Sequence, residues 1–125
     1  MDYVLDTHPL VFLMFEPEAL GSRARKAIAD HRTTLLVPTM AVLELQYLIE
    51  IGRVEGRATD VIDYIEQTPR IRLIAFSESE LRESVVRLDT RDPFDRVILA
   101  SAMCRDLPVI TRDRWMRRVY RKTCW

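Results

Sequence analysis

An α/β chain, with a parallel sheet covered by helices on both faces, is the fold class this sequence predicts, and three observations predict it. Short β-prone runs alternate with stretches of helical pattern from end to end. The chain has 125 residues, 48% of them hydrophobic, enough for one domain spanning residues 1–125 and too few for two. No linker or low-complexity tract interrupts the alternation.

The elements follow in order. Tyr3-Val4-Leu5 is a strand ending at Asp6-Thr7, and after Pro9 a helix runs from Leu10 to Phe15 until Glu16-Pro17-Glu18 breaks it. Gly21-Ser22 opens a second helix, Arg23 to His31, with Ala24, Ala27 and Ile28 facing inward. Thr34 to Val37 is the second strand, stopped by Pro38. Thr39 is placed to cap a helix from Met40 to Ile51, closed by Gly52. A helix from about Thr59 to Gln67 leads to the third strand, Ile71 to Phe76. Ser77 then caps Glu78 to Leu88, with Glu80 completing a capping box. Asp92 caps the next helix, with Pro93 at its first position. The fourth strand is Val109-Ile110-Thr111, followed by a short helical segment around Trp115-Met116 and an edge strand within Val119 to Trp125.

Nineteen basic and nineteen acidic side chains cancel, but their distribution is uneven. From Arg105 onward seven basic residues face two acids, so this segment carries a net +5 and residues 1–104 carry −5. That asymmetry suits a cation gathered at one site beside a surface for polyanion. No apolar run is long enough to span a bilayer and no basic-then-apolar leader is present, which predicts a cytoplasmic protein without membrane contact. Cys104 and Cys124 have no CxxC or Cys/His spacing, so neither a zinc site nor a disulfide framework is indicated. His8 and His31 are similarly isolated and read as packing or surface residues.

Four acids do not fit a solvated surface. Asp95 falls at the third position of its helix, where the dipole favours it, yet Ile98, Leu99 and Ala102 on the same stripe are all apolar. Glu44 likewise has Met40 and Ala41 behind it and Tyr47, Leu48 and Ile51 ahead, whereas Glu50 sits with Gln46 and Arg53. Asp6 ends the first strand and Asp113 follows the fourth, and strand-end loops of a parallel sheet gather at one edge. Taken alone, Asp6 reads equally well as a turn residue and Asp113 as a cap; it is their joint occurrence that points to a site. Four carboxylates in one cleft require a cation, and an all-oxygen donor set selects Mg²⁺ or Mn²⁺ over zinc. Such ions supply the water and the charge neutralisation that phosphodiester hydrolysis needs. Thr7 and Thr111 lie within reach as supporting hydroxyls, and Asp92 reads chiefly as the helix cap. No Walker loop, G-x-S-x-G elbow or G-x-G-x-x-G is present to support other enzyme classes.

The residues Leu5-Asp6-Thr7-His8, Ala41-Val42-Leu43-Glu44-Leu45, Asp92-Pro93-Phe94-Asp95-Arg96 with Ala100-Ser101-Ala102, and Ile110-Thr111-Arg112-Asp113 together resemble the PIN-domain family. Within it, the similarity is to the VapC-like toxins of bacterial type II toxin-antitoxin modules, and it covers essentially the whole chain. The resemblance implies a three-layer α/β/α sandwich around a parallel sheet of four or five strands, and a Mg²⁺- or Mn²⁺-dependent endoribonuclease. It implies Asp6 and Asp95 as principal metal ligands, completed by Glu44 and Asp113, and RNA as substrate. It further implies a small cognate antitoxin as partner and a homodimer. Arg91 and Arg96 flank the acids and are candidates for phosphate contact, Arg96 being equally placed to pair with Asp92 or Asp95. The chain departs from the family at Thr90, where relatives often carry a His. Two other readings remain at this point. One is a catalytically silent PIN-like module that binds nucleic acid or protein. The other is a receiver-like signalling domain with a strand-end Asp as phosphoacceptor, which calls for a nearby lysine; Lys26 and Lys122 are the only two.

Overall fold

The computed structural model describes residues 1–86 and 89–125. Five strands form one all-parallel sheet: β1 (Asp2–Leu5), β2 (Thr34–Pro38), β3 (Ile71–Ile74), β4 (Val109–Ile110) and β5 (Thr123–Cys124), in the spatial order β3-β2-β1-β4-β5. Between them run α1 (Thr7–Phe15), α2 (Ser22–Ala29), α3 (Thr39–Glu50), α4 (Ala58–Gln67), α5 (Glu78–Val85), α6 (Pro93–Arg105) and α7 (Arg114–Val119). Successive strand side chains point to opposite faces, and Val4 with Leu5, like Val109 with Ile110, are both sealed from solvent. Both faces of the central strands are therefore covered, as a parallel sheet requires. Leu10, Leu45, Val61, Ile98 and Met116 supply much of that cover from the helices.

Several boundaries differ from the sequence expectation for local reasons. α1 begins at Thr7 and not after Pro9, because the first-turn amides need no helical acceptor and a proline there removes nothing. α2 stops at Ala29, two residues before His31. Asp30 Oδ1 accepts from the Arg32 amide (2.9 Å) and turns the chain out of the helix. Thr39 does not cap α3. The β2 ladder runs through Pro38, which pairs with Ile74, so the strand passes directly into the helix and Thr39 becomes its first residue. β3 ends at Ile74, leaving Ala75 and Phe76 exposed. β4 is shorter than expected, although the Thr111 amide still donates to the Cys124 carbonyl (3.1 Å). The expected edge strand narrows to Thr123–Cys124, because α7 occupies the chain as far as Val119. The capping box of Ser77 and Glu80 is formed, whereas the expected end of that helix at Leu88 lies outside the described residues.

α5 packs on α6 through an interaction the sequence does not announce. Glu80 is buried, and beyond its capping bond to the Ser77 amide (2.6 Å) it accepts from the Arg105 guanidinium. Burial pushes the Glu80 carboxyl up, but the bonds from Arg105 and Ser77 outweigh it and hold the group below its ordinary range.

Candidate active site

β1 lies between β2 and β4, so the chain leaving β1 turns toward one side of the sheet and the chain leaving β4 toward the other. A crevice opens where such connections diverge, beyond the carboxyl ends of the strands. Asp6 follows β1 directly, and Thr111 and Asp113 follow β4. α3 brings Glu44 to the crevice, and α6 brings Asp92 and Asp95. The two helices touch through the rings of Tyr47 and Phe94, 6.2 Å between centroids. The five carboxylates line one cavity of about 830 Å³.

Four of them are held by hydrogen bonds, and three of these also cap a helix. Asp6 is buried; its Oδ1 accepts from the Thr7 amide (2.7 Å) as the cap of α1, and its Oδ2 accepts from Thr111 Oγ1 (2.6 Å). Thr111 Oγ1 in turn accepts from the Asp113 amide (3.0 Å), and Asp113 Oδ1 accepts from Met116 as the cap of α7 (2.8 Å). Thr7 Oγ1 donates to Glu44 Oε1 (2.6 Å). Asp92 Oδ1 caps α6 by accepting from the amides of Phe94 (2.9 Å) and Asp95 (3.1 Å). Among the described residues no hydrogen bond reaches the Asp95 carboxylate.

The electrostatics follow. Burial, reinforced by repulsion from Asp92, Asp6, Asp113 and Glu44, pushes the Asp95 carboxyl up to about 8. Burial and the charges of Asp6, Asp92 and Asp113 raise Glu44 to about 7 despite its bond from Thr7. Asp6 rises to about 6 through burial, opposed by the bonds from Thr111 and Thr7. Carboxylates raised in this way by burial and mutual repulsion fit a hard divalent cation. His8 on the same wall is lowered by burial and then by Arg112, and the two free cysteines lie outside the cavity lining, so oxygen is the available donor. Among the described residues no three His, Cys, Asp or Glu groups form a closed cage. An ion that keeps several waters and takes only one or two carboxylates directly does not need one.

The sequence places Asp6, Glu44, Asp95, Asp113 and Asp92 at one crevice, with Thr7 and Thr111 as their supports, and the structure brings these residues together. Arg96 is different. Its guanidinium turns back to the Thr90 carbonyl (2.8 Å from Nε), and among the described residues it makes no ion pair with Asp92 or Asp95. Arg91 is exposed and does not line the cavity. The apolar stripe around Glu44 is a cleft wall and not core, since Tyr47 is 50% and Ile51 45% exposed. No lysine is among the cavity residues, which removes the group that a receiver-like site needs beside Asp6.

Sequence reasoning missed the rim. Arg53, Arg112, Arg114 and Arg117 surround the acids, with Tyr47, Trp115 and Trp125 among them and His8 on the wall. The Trp115 indole is anchored by donating to Asp89 (2.8 Å), and Trp125 packs against Phe12 and over Gly21, where a Cβ would lie 2.5 Å from its carbonyl carbon. The basic excess from Arg105 onward is visible in the sequence only as a segment charge; Arg112 and Arg114, flanking a strand-end acid, are the local signal for it.

Comparison with known proteins bears on the family and the fold. The family model of the PIN domain matches residues 3–122. Ribonuclease VapC22 of Mycobacterium tuberculosis is 29% identical over 117 residues, covering 91% of this chain and 88% of the relative. Among solved structures, VapBC2 from Rickettsia felis bound to a promoter DNA fragment superposes with a TM-score of 0.70 at 15% identity, covering 100% of both chains. A toxin-antitoxin complex from Klebsiella pneumoniae gives 0.67 at 17% identity, covering 97% of this chain and 94% of the other. FitAcB from Neisseria gonorrhoeae gives 0.59 at 22%, covering 90% and 88%.

Proposed function

The chain belongs to the PIN-domain family, and from that membership and the geometry of the crevice we propose that it is a metal-dependent endoribonuclease, the toxin of a type II toxin-antitoxin pair. The observation that carries the reading is Asp95, a half-buried carboxylate without a hydrogen bond among the described residues, set against four other acids. A charge so placed is costly unless a cation compensates it. Mg²⁺ or Mn²⁺, held by Asp6 and Asp95 with Glu44 and Asp113 beside them, would orient an attacking water and neutralise charge developing on the phosphodiester.

The chain's own residues supply the remainder. Thr7 and Thr111 fix the Asp6 carboxylate from both oxygens, so it presents the same lone pairs without rotating. Thr7 also fixes Glu44, which couples the two acids through a single residue. The guanidiniums of Arg53, Arg112, Arg114 and Arg117 suit phosphates on either side of a scissile bond, and Tyr47, Trp115 and Trp125 suit stacking with unpaired bases. Single-stranded or loop RNA offers both at once. The relative named as a ribonuclease supports the activity, and the toxin-antitoxin complexes among the structural neighbours support a small antitoxin as partner.

The test is cleavage of single-stranded RNA by the purified protein. Cutting is expected with Mg²⁺ or Mn²⁺, none with EDTA, and none by Asp95→Asn at unchanged circular dichroism. Cleavage that persists in EDTA, or in that variant, overturns the reading. A silent binding module would instead retain RNA without cutting it under any of these conditions.

A further inference from the structure

A second cavity, of about 550 Å³, opens off the acidic crevice and shares with it His8, Leu48, Arg53 and Arg112. Beyond that shared wall its lining is apolar at Val11, Phe12 and Phe15, and it also carries two carboxylates, Glu16 and Glu55. The Arg112 guanidinium lies over the Phe12 ring, 4.9 Å from its centroid. Phe15, itself 45% exposed, packs over Gly56, where a Cβ would stand 3.1 Å from the ring. Among the described residues neither Arg53 nor Arg112 is engaged in an ion pair.

We propose that this cavity holds a nucleobase of the RNA beside the scissile phosphate and selects one bearing an exocyclic amino group, cytosine, adenine or guanine, over uracil. The proposal rests on the nuclease reading of the adjoining crevice. Its argument is polarity. Two guanidiniums without an ion pair among the described residues stand where the cavity meets the acids, as a phosphate requires. The exposed ring of Phe15 follows, on which a base stacks, with Arg112 and Phe12 already stacked on each other behind it. Glu16 and Glu55 then offer acceptors to an amino group, which uracil lacks, its single ring N–H being flanked by two carbonyls that would face the carboxylates as further acceptors. An apolar peptide side chain would leave both the guanidiniums and these carboxylates unmatched.

The experiment uses the full chain with Mg²⁺ on a randomised single-stranded RNA pool, with cut ends sequenced. Uracil is expected to be disfavoured about tenfold at one of the two positions flanking the cut. In a Glu16→Gln, Glu55→Gln double variant, both positions being exposed, the bias is expected to fall below about threefold. In parallel, a labelled RNA decamer is titrated in EDTA against Asp95→Asn with and without Phe15→Ala, the second change weakening binding about tenfold by loss of stacking. Cuts with unbiased flanks, a bias retained in the double variant, or equal decamer affinity with Phe15→Ala each overturn the pocket assignment while the nuclease reading stands. A pocket built for a peptide gives that last pattern, with bias and RNA affinity unmoved in every variant. Absence of any Mg²⁺-dependent cut fails the nuclease reading and this one with it.

Discussion

Replacing the Asp95 carboxylate by an amide separates two roles that its position implies. Asp95→Asn removes a charge that the fold does not stabilise, so the metal-free protein is expected to melt at the same temperature or higher at about pH 8, while RNA cleavage drops by more than about 10²-fold. Calorimetry and a cleavage assay on one preparation check both halves. Thr111→Val should lower both stability and activity. It strips one bond from Asp6 and one from the Asp113 amide, so a stability loss of about 1–3 kcal/mol is expected by denaturant titration, with activity about 10- to 100-fold lower. Both threonines are legible in the sequence because each lies next to, or two residues from, an acid of the site. The role of Arg96 is not. Its partner, the Thr90 carbonyl, depends on the conformation of the segment before α6, which no residue spacing encodes.

Among the elements, the α5–α6 pair depends on one buried charge. Glu80→Ala leaves Arg105 without its carboxylate and opens the capping box. The expected cost is about 3–5 kcal/mol, read as a shift in the urea midpoint. The capping box is visible as Ser77 and Glu80 three residues apart, but the ion pair is not, because Arg105 lies 25 residues further on. Helix starts are legible where a side chain marks them, as at Ser77 and Asp92. They are obscured at Thr7 and Thr39. At Thr7 the marker, Asp6, also follows the end of a strand, and at Thr39 a strand runs into a helix with no loop residue between.

For the molecule as a whole, the raised carboxyls make stability depend on pH in a definite direction. Asp6, Glu44 and Asp95 keep protons in the native state to about 6, 7 and 8, whereas the unfolded chain releases them near the ordinary carboxylate range of about 4. The native state thus binds more protons across that window. The contribution of these groups to stability is full below about pH 4 and is lost as pH rises through 6 to 8. The metal-free protein is therefore expected to melt progressively lower between about pH 5 and 8.5, and Mg²⁺ to raise the melting temperature more at the upper end. An equal Mg²⁺ increment at both ends would contradict it. The parallel sheet, its helices and the acid cluster are all legible, because alternation and strand-end acids are local patterns. The basic and aromatic rim is not, since Arg53, Tyr47 and Trp125 meet Arg112 only after folding.

The hydrogen bond from Thr111 to Asp6 joins residues 105 positions apart, across neighbouring strands at the centre of the sheet. Contacts of such long sequence separation form late, after the chain between them has been ordered. During synthesis, a polypeptide that has Asp6, Glu44 and Asp95 but not yet Thr111 and Asp113 has no finished crevice. The crevice is therefore complete only when the segment that follows β1 and the segment that follows β4 are both in place.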